Sequence, residues 1–413
     1  MNKHPSAAAA GLRIAIAGAG LSGLALAQGL RRHGIVAQLY ERDAGPSARR
    51  QGYRLRIDSA GQAALREALG REGLARWLAA CAPALPLASH DVQLNNIATP
   101  WTSAWERAAD GADASPDLRA DRGLLREALM EGLDEQLHWG SEVVACQQRP
   151  DGSIALRLAD GRRAACDLLV VANGAHSALY RPRWSSAPEA VASCVYGRSG
   201  LAGAWLSQLP GDFLSATRVI VDRQAVAIID AMRFAAGSRV PDYLYWALLL
   251  PEAGADLGQG PLLREQLLRM CQHWAAPMRA MLMHTEPAAI RAVSVFSGGR
   301  VEEAEPVEAV EAGLPMVAIG DALHLMSPAG GLGANTALQD AADLAQTLAT
   351  LDQPGATALG AALARYKQRL SARANAAMAR SDASHQQLCQ FALTQPSNAS
   401  TAAGLGSMEA PCN

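Results

Sequence analysis

Apolar and polar positions change period several times along the 413 residues, and each change marks an element. Residues 13–17 form a short run of small and β-branched apolar side chains, the pattern of a strand buried on both faces. Residues 21–32, rich in Ala and Leu, read as a helix, and 36–40 as a second strand. From 51 to 58 the period is two, with Tyr53, Leu55 and Ile57 on one side and Arg54 and Arg56 on the other. Residues 61–80 are helical by pattern. The stretch 81–116, with Pro83, Pro86, Pro100, Trp101 and Trp105, predicts strands and loops. An amphipathic helix follows over 121–133, with Leu124, Leu125, Ala128, Leu129 and Leu133 on one side. Strands are expected at 138–144 and 153–158, on either side of an Asp151–Gly152 turn, and at 166–172, where the run is almost wholly apolar.

Beyond Arg183 the texture changes. Segments 217–221, 225–232 and 243–250 read as consecutive strands with no helix between them, which predicts an antiparallel sheet and a second, α+β unit. Helices are expected at 262–271 and around 277–283. Residues 315–320 restore a buried strand, and 336 to about 388 is largely helical. No internal repeat is visible.

Two glycine-rich segments sit where strands give way to helices. The first, Gly18-Ala19-Gly20-Leu21-Ser22-Gly23, follows the opening strand directly. Its first glycine permits a sharp turn, its second lets backbone approach a pyrophosphate, and its third lets the helix pack on its strand. Glu41 ends the second strand 18 positions after Gly23, where a carboxylate accepts from both ribose hydroxyls and repels a 2′-phosphate. The alternative is a glycine-tolerant helix cap with no ligand. The second segment is Gly320-Asp321, followed by Pro328, Gly330, Gly331, Leu332, Gly333, Ala334 and Asn335 at the start of a helix. It offers a fixed carboxylate for sugar or ribityl hydroxyls, then free N–H groups and a positive helix end suited to reduced flavin. Read together, the two segments specify one flavin. Arg54 and Arg56 fit either an anionic ligand or a solvated strand face, and Arg122 either a nucleotide contact or a surface arginine.

Composition narrows the classes further. Half of the residues are hydrophobic and the net charge is −2, so neither disorder nor nucleic-acid binding is indicated. The seven cysteines show no C-x-x-C and no metal-like spacing, the usage of reduced thiols in a cytoplasmic protein. Residues 14–30 imitate a signal-peptide core, but the glycine fingerprint within them argues for structure. No run approaches the length of a membrane span.

Gly18 to Gly23, Asn173-Gly174 and the block Gly320, Asp321, His324, Pro328, Gly331, Gly333, Asn335 and Asp340 resemble the FAD-dependent aromatic hydroxylases, the group A flavoprotein monooxygenases. The resemblance covers residues 12 to 390. It implies an α/β fold: a Rossmann-like FAD-binding domain with a parallel sheet (12–80, 117–182 and 294–350) and an α+β substrate domain on an antiparallel sheet (81–116 and 183–293). A C-terminal helical segment (351–392) and a disordered tail (393–413) complete it. It places Gly18, Ala19, Gly20, Leu21, Ser22, Gly23, Glu41 and Arg42 at the adenosine half of FAD, with Arg54, Arg122 and Val144 beside the nucleotide. Asp321 would meet the ribityl–pyrophosphate region, and Pro328 to Asn335 the isoalloxazine ring. The family carries an Asp-Gly pair where this chain has Asn173-Gly174, a lost charge that bears on reduction by nicotinamide.

By the same resemblance NADH or NADPH reduces FAD, and a flavin hydroperoxide delivers one atom of O2 to an aromatic or polyketide-like molecule. The length matches compact members of the family, and hence a small or medium substrate. Arg233, Tyr243, Tyr245 and Trp246 are candidates to line the pocket, with core packing the alternative for Trp246. His176 and His324 are expected to be structural, and no catalytic base is named. The competing readings are a flavin reductase or dehydrogenase of the same fold acting without oxygen, and a non-enzymatic binder.

Overall fold

The computed structural model describes residues 11–46, 48, 53–101, 116–180, 188–251, 259–297, 299–301, 314–351 and 355–395. Residues 51 and 52 of the expected strand, Trp105, and residues 396–413 of the expected tail lie outside the described residues. The first part of the chain runs β1 (Ile14–Ala17), α1 (Leu21–Arg32), β2 (Ala37–Tyr40), β3 (Arg54–Ile57), α2 (Ser59–Ala79), β4 (Leu87–His90), β5 (Leu118–Asp121) and α3 (Arg122–Met130). Then come β6 (Leu137–His138), β7 (Val143–Gln148), β8 (Ile154–Leu158), β9 (Arg163–Cys166) and β10 (Leu168–Val171). The middle part holds β11 (Glu189–Gly200), β12 (Thr217–Val221), β13 (Val226–Met232), β14 (Tyr243–Leu250), α4 (Gly260–Met270), α5 (Ala276–Met283) and β15 (Arg291–Ser297). The last is β16 (Met316–Ala318), α6 (Gly333–Ala349) and α7 (Ala356–Leu393).

A five-stranded sheet in the order β16-β10-β1-β2-β6 is parallel throughout. Its strands are continuous apolar runs because helices cover them, and β1 and β10 are buried along their whole length. The second sheet has the order β15-β11-β14-β13-β12-β4 and is antiparallel except where β4 joins β12. Side chains on β14 alternate between its two faces. Leu244, Trp246, Leu248 and Leu250 point into a core with α4 and α5, where Trp246 and Trp274 are fully buried. Tyr243, Tyr245, Ala247 and Leu249 take the face toward β3 and α7. A ribbon of β3 and β5 and a three-stranded unit β7-β8-β9 complete the sheets.

Three expectations need correction. The apolar run 166–172 belongs to two strands, because Asp167 breaks it by accepting the backbone and side-chain N–H groups of Arg13. β15 pairs along β11, so the antiparallel sheet extends past residue 293 to Ser297. Finally, α2 is interrupted at Gly70, whose φ of +68° lies in the left-handed region. Among the described residues no helix is long and apolar enough to cross a membrane.

Candidate functional site

Three neighbouring parallel strands end side by side, and each is followed by a loop named above: Gly18 to Gly23 after β1, Asn173-Gly174 after β10 and Gly320-Asp321 after β16. Gly18 turns with φ +107°, and a Cβ there would lie 2.5 Å from the Ala172 carbonyl oxygen and 2.7 Å from Asn173 Cα. Gly320 has φ +62°, and a Cβ there would stand 2.9 Å from Ser22 Oγ and 3.3 Å from Ala337 Cβ. The early and late glycine segments therefore touch.

The helices that follow them also begin together. Seven residues after Ser22 and eight after Ala337, a Cβ on Gly29 would meet Ala345 Cβ at 2.9 Å. Hence α1 and α6 run parallel with adjacent N-termini. Neither first turn receives a hydrogen bond from an N-cap side chain, since the caps are Gly20 and Leu332. Backbone N–H groups of Leu21, Ser22 and Gly23, and of Gly333, Ala334 and Asn335, occupy these two positive helix ends. At Gly20 the nearest atom to an added Cβ is 3.9 Å away, so the space before α1 is left open by the protein.

Glu41 is buried at the end of β2 and accepts the Ala19 N–H at 2.7 Å and the Asp43 N–H at 3.0 Å. Arg126, which the sequence reading missed, donates to the Ala19 carbonyl at 3.3 Å and the Pro46 carbonyl at 2.7 Å, and its guanidinium lies over Trp139. It stands one turn beyond Arg122 on the same face of α3, and that spacing was the available signal. Arg122 itself is half-buried, and Arg42 is exposed. Val144 is the residue across which the β7–β8 register shifts. Asn173 Oδ1 is buried with no hydrogen-bond partner among the described residues, whereas Asp321 is exposed.

The late loop is tied from beneath. Ser327 Oγ accepts the Ala329 N–H at 3.2 Å and lies 3.3 Å from His385 Nδ1, while Ser381 Oγ donates to the Ser327 carbonyl at 2.6 Å. Burial pushes His385 below the ordinary histidine range. Pro328 is exposed, Gly330 and Gly331 are half-buried, and Leu332 is buried. Asn335 was expected to face a ring, but its amide is consumed inside the protein. Its Oδ1 accepts the Asp58 N–H at 3.1 Å, and its Nδ2 donates to the Arg56 carbonyl at 3.0 Å and the Gly331 carbonyl at 2.9 Å. Asn335→Ala should therefore cost about 2–3 kcal/mol, because a buried clamp loses its partners at both ends. Urea unfolding checks this; a change below about 0.5 kcal/mol would contradict the clamp.

Asp340, fully buried on α6, accepts the Gly320 N–H at 3.1 Å, His324 Nε2 at 2.6 Å and Arg373 Nε at 3.0 Å. Burial alone would lower the His324 pKa, but the charge and hydrogen bond of Asp340 outweigh it and raise the value. His324 is thus a packed, charge-paired residue, and His176 is exposed. Among the described residues no group of His, Cys, Asp and Glu has the makings of a metal site. Burial holds the Cys194 and Cys271 thiols up at about 12, so neither is a thiolate nucleophile at neutral pH.

Where the two sheets approach, Arg54 forms an ion pair with Asp230 at 2.8 Å, and Arg119 pairs with the other oxygen of the same carboxylate. Arg54 was a candidate phosphate ligand, but its charge is engaged by Asp230 of the antiparallel sheet, and Arg56 is paired with Asp117 at 2.5 Å. Tyr245 does lie on the face toward β3, with burial raising its phenol pKa. Trp246 does not: strand alternation turns it into the opposite core, where its indole donates to Thr285 at 3.0 Å. Arg233 is exposed beyond the end of β13.

A family model described as FAD binding domain matches residues 12–183 and 304–381, more than half of the chain. The chain belongs to the FAD-dependent aromatic hydroxylase family. It is 30% identical over 389 residues to the dual O-methyltransferase/FAD-dependent monooxygenase elcB of Phaeosphaeria nodorum, covering 82% of this chain and 40% of that protein. The chain thus spans about two fifths of the length of the first curated relatives it matches. It is 29% identical to the aurachin C monooxygenase/isomerase of Stigmatella aurantiaca, over 88% of this chain and 86% of that one. Klebsiella pneumoniae HpxO, solved with FAD and uric acid, shares the fold with a TM-score of 0.71 at 20% identity, over 94% of this chain and 90% of that chain.

FAD fits what the residues offer. The open approach at Gly20, two helix ends without side-chain caps, the orphaned Asn173 Oδ1 and the exposed Asp321 carboxylate are groups for which a dinucleotide supplies partners.

Proposed function

We propose that the chain is a monooxygenase that consumes NADH or NADPH and inserts one atom of O2 into an aromatic or polyketide-like small molecule. The observation that carries the reading is the union of a dinucleotide cleft with an aromatic-lined sheet face. Tyr196 and Tyr245 look from the antiparallel sheet toward β3, whose far end is clamped to the late glycine loop. The monooxygenase activities for which the elcB and aurachin C relatives are named support it.

Gly18, Ala19, Gly20, Leu21, Ser22 and Gly23 would hold the pyrophosphate against α1, and Glu41 the adenosine ribose, with Arg42, Arg122 and Val144 beside them. Asn173 and Gly174 would lie at the middle of the cofactor and Asp321 at its ribityl chain. Gly320, Pro328, Gly330, Gly331, Leu332, Gly333 and Ala334 would face the ring. Arg54 and Asn335 would act as struts behind these contacts. Bound FAD would supply electron acceptance from NAD(P)H and oxygen transfer to the substrate. The protein's share is orientation and a water-poor seam between the sheets. The two-domain partition, with 12–80, 117–182 and the region from β16 onward forming the FAD domain, belongs to the same proposal. So does a cytoplasmic location, which the free described cysteines support.

The test is turnover under 18O2 with NADH or NADPH and a panel of phenolic metabolites. One labelled oxygen atom in the product is expected. Turnover without oxygen would establish a reductase instead, and hydrogen peroxide alone with every substrate would reject the proposal.

A further inference from the structure

His324 and Asp340 place a titratable ion pair inside the FAD-binding part of the chain. Both side chains are fully buried, with imidazole Nε2 2.6 Å from Asp340 Oδ2. No group among the described residues donates a hydrogen bond to either ring nitrogen, so the ring meets an acceptor, as an imidazolium requires. The charges around the pair come from three elements. From α7, Arg373 reaches Asp340 Oδ1 at 3.0 Å, and Tyr366 donates its hydroxyl to the Asp340 carbonyl at 3.0 Å. From α6, Asp343 pairs with Arg373 at 3.2 Å and with Arg369 at 2.6 Å. From the turn after β16 comes the exposed carboxylate of Asp321. Among these side-chain types, imidazole is the one that changes charge near neutral pH.

The pair is built into the turn that would meet the flavin half of the cofactor. Asp340 accepts the Gly320 N–H at 3.1 Å, and the His324 N–H donates to the Gly320 carbonyl at 3.0 Å. Asp321 of that turn is the expected ribityl contact, and Ser327 to Ala334 follow His324 directly. Reduction by NADH or NADPH delivers a hydride, two electrons and a proton. FAD becomes an anion and NAD(P)+ is released. A positive charge held in a water-poor interior stabilises that anion over the neutral oxidised ring, because screening there is weak.

We propose that His324 sets the reduction potential of the bound FAD: its buried imidazolium favours the reduced, anionic cofactor, and Asp340 acts through it by holding its proton. His324 is a positioning residue, acting by its charge from behind the turn. Burial would lower its pKa, but the charge and hydrogen bond of Asp340 outweigh burial and raise it, so the proton is retained above about pH 6.5. The inference rests on FAD as the cofactor and not on oxygen insertion. Its test is anaerobic and free of substrate, so a failed 18O2 experiment and a failed redox experiment are separate results.

The experiment titrates the FAD-loaded protein against a redox dye of known potential from pH 6 to 10. His324→Gln keeps an N–H group for Asp340 but carries no charge. At pH 6.5 its preference for reduced over oxidised FAD should be about tenfold weaker than that of the wild type, a potential about 30 mV lower for a two-electron couple. The difference should shrink as pH rises through the His324 value and be gone by pH 10, where the imidazole is neutral. The wild type supplies a second reading that needs no variant. By reciprocity, a proton that favours reduced FAD tenfold is itself bound tenfold more tightly once FAD is reduced. The protons taken up per two electrons should therefore rise from one to about 1.5 over a window above pH 6.5. Equal potentials of the two proteins at pH 6.5 would overturn the proposal and leave His324 a packing residue. So would a difference of the same size at pH 6 and pH 10, or a wild-type count of one proton at every pH from 7 to 10.

Discussion

Gly20→Ala should give a folded protein that no longer retains its FAD. An added methyl group meets no protein atom closer than 3.9 Å, so the apoprotein has little reason to object. The backbone there is extended, with φ −74° and ψ −175°, which alanine adopts freely. Only a helix-cap preference is lost, worth about 1 kcal/mol at most. The methyl group does project into the open space before α1, where the pyrophosphate would have to pass. Overpacking of that kind costs about 1–3 kcal/mol, or roughly a 5- to 150-fold rise in the FAD dissociation constant. Gly23→Ala makes the contrast, because its Cβ would lie 2.1 Å from the Gly18 carbonyl oxygen and 3.3 Å from Ile16 Cγ2. That variant should be defective in folding itself. Titration of apoprotein with FAD, alongside thermal unfolding of both apo variants, separates the two effects. Wild-type FAD affinity in Gly20→Ala would mean the cofactor does not approach α1 here.

That contrast also marks what a linear sequence discloses. The cleft was legible because each of its parts is local: strand, glycine turn and helix are contiguous over Ile14–Arg32, and Glu41 ends the very next strand. The late loop was legible for the same reason. What pairs across distance was not. Two arginines on one face of β3 look like ligands for phosphate until Asp230, 176 positions after Arg54, is brought against the first of them. Asn335 looks like a ligand for a ring until Arg56 and Asp58 take up its amide.

The longest strand, β11, escaped notice because Ala190, Ala192, Ser193, Gly197 and Ser199 give it little hydrophobic contrast. Pairing with β14 on one side and β15 on the other makes it a strand, so tertiary context overrides a weak local preference. Alternation does place Tyr245 and Trp246 on opposite faces, but which face meets the FAD domain is decided by packing alone. Trp246 lies so close beneath β11 that a Cβ on Gly197 would be 2.5 Å from its ring.

Asp340→Ala should be the most damaging single polar change in the FAD domain. The carboxylate is fully buried and joins three elements: the Gly320 turn, His324 and Arg373 of α7. Its removal leaves the buried His324 imidazolium without its counter-charge and Arg373 with Asp343 alone, and breaking a buried pair costs about 3–5 kcal/mol. The Gly320 turn, which touches Ser22 of the early segment, would loosen as well, and FAD retention should fall with stability.

The pH dependence distinguishes this pair from ordinary packing. Because the folded pKa of His324 is raised, the pair's contribution is complete below the unfolded value of about 6.5 and is lost as pH rises through the folded value. Urea midpoints of the wild type should therefore carry a component that declines from about pH 6.5 upward. In Asp340→Asn burial, the largest influence on the imidazole, lowers its pKa against the weaker pull of Asp321 and a backbone hydrogen bond, so the same component should reverse and rise with pH up to about 6.5. If the wild type and Asp340→Asn gave parallel midpoint curves from pH 5 to 9, His324 would not be held as a cation by this carboxylate.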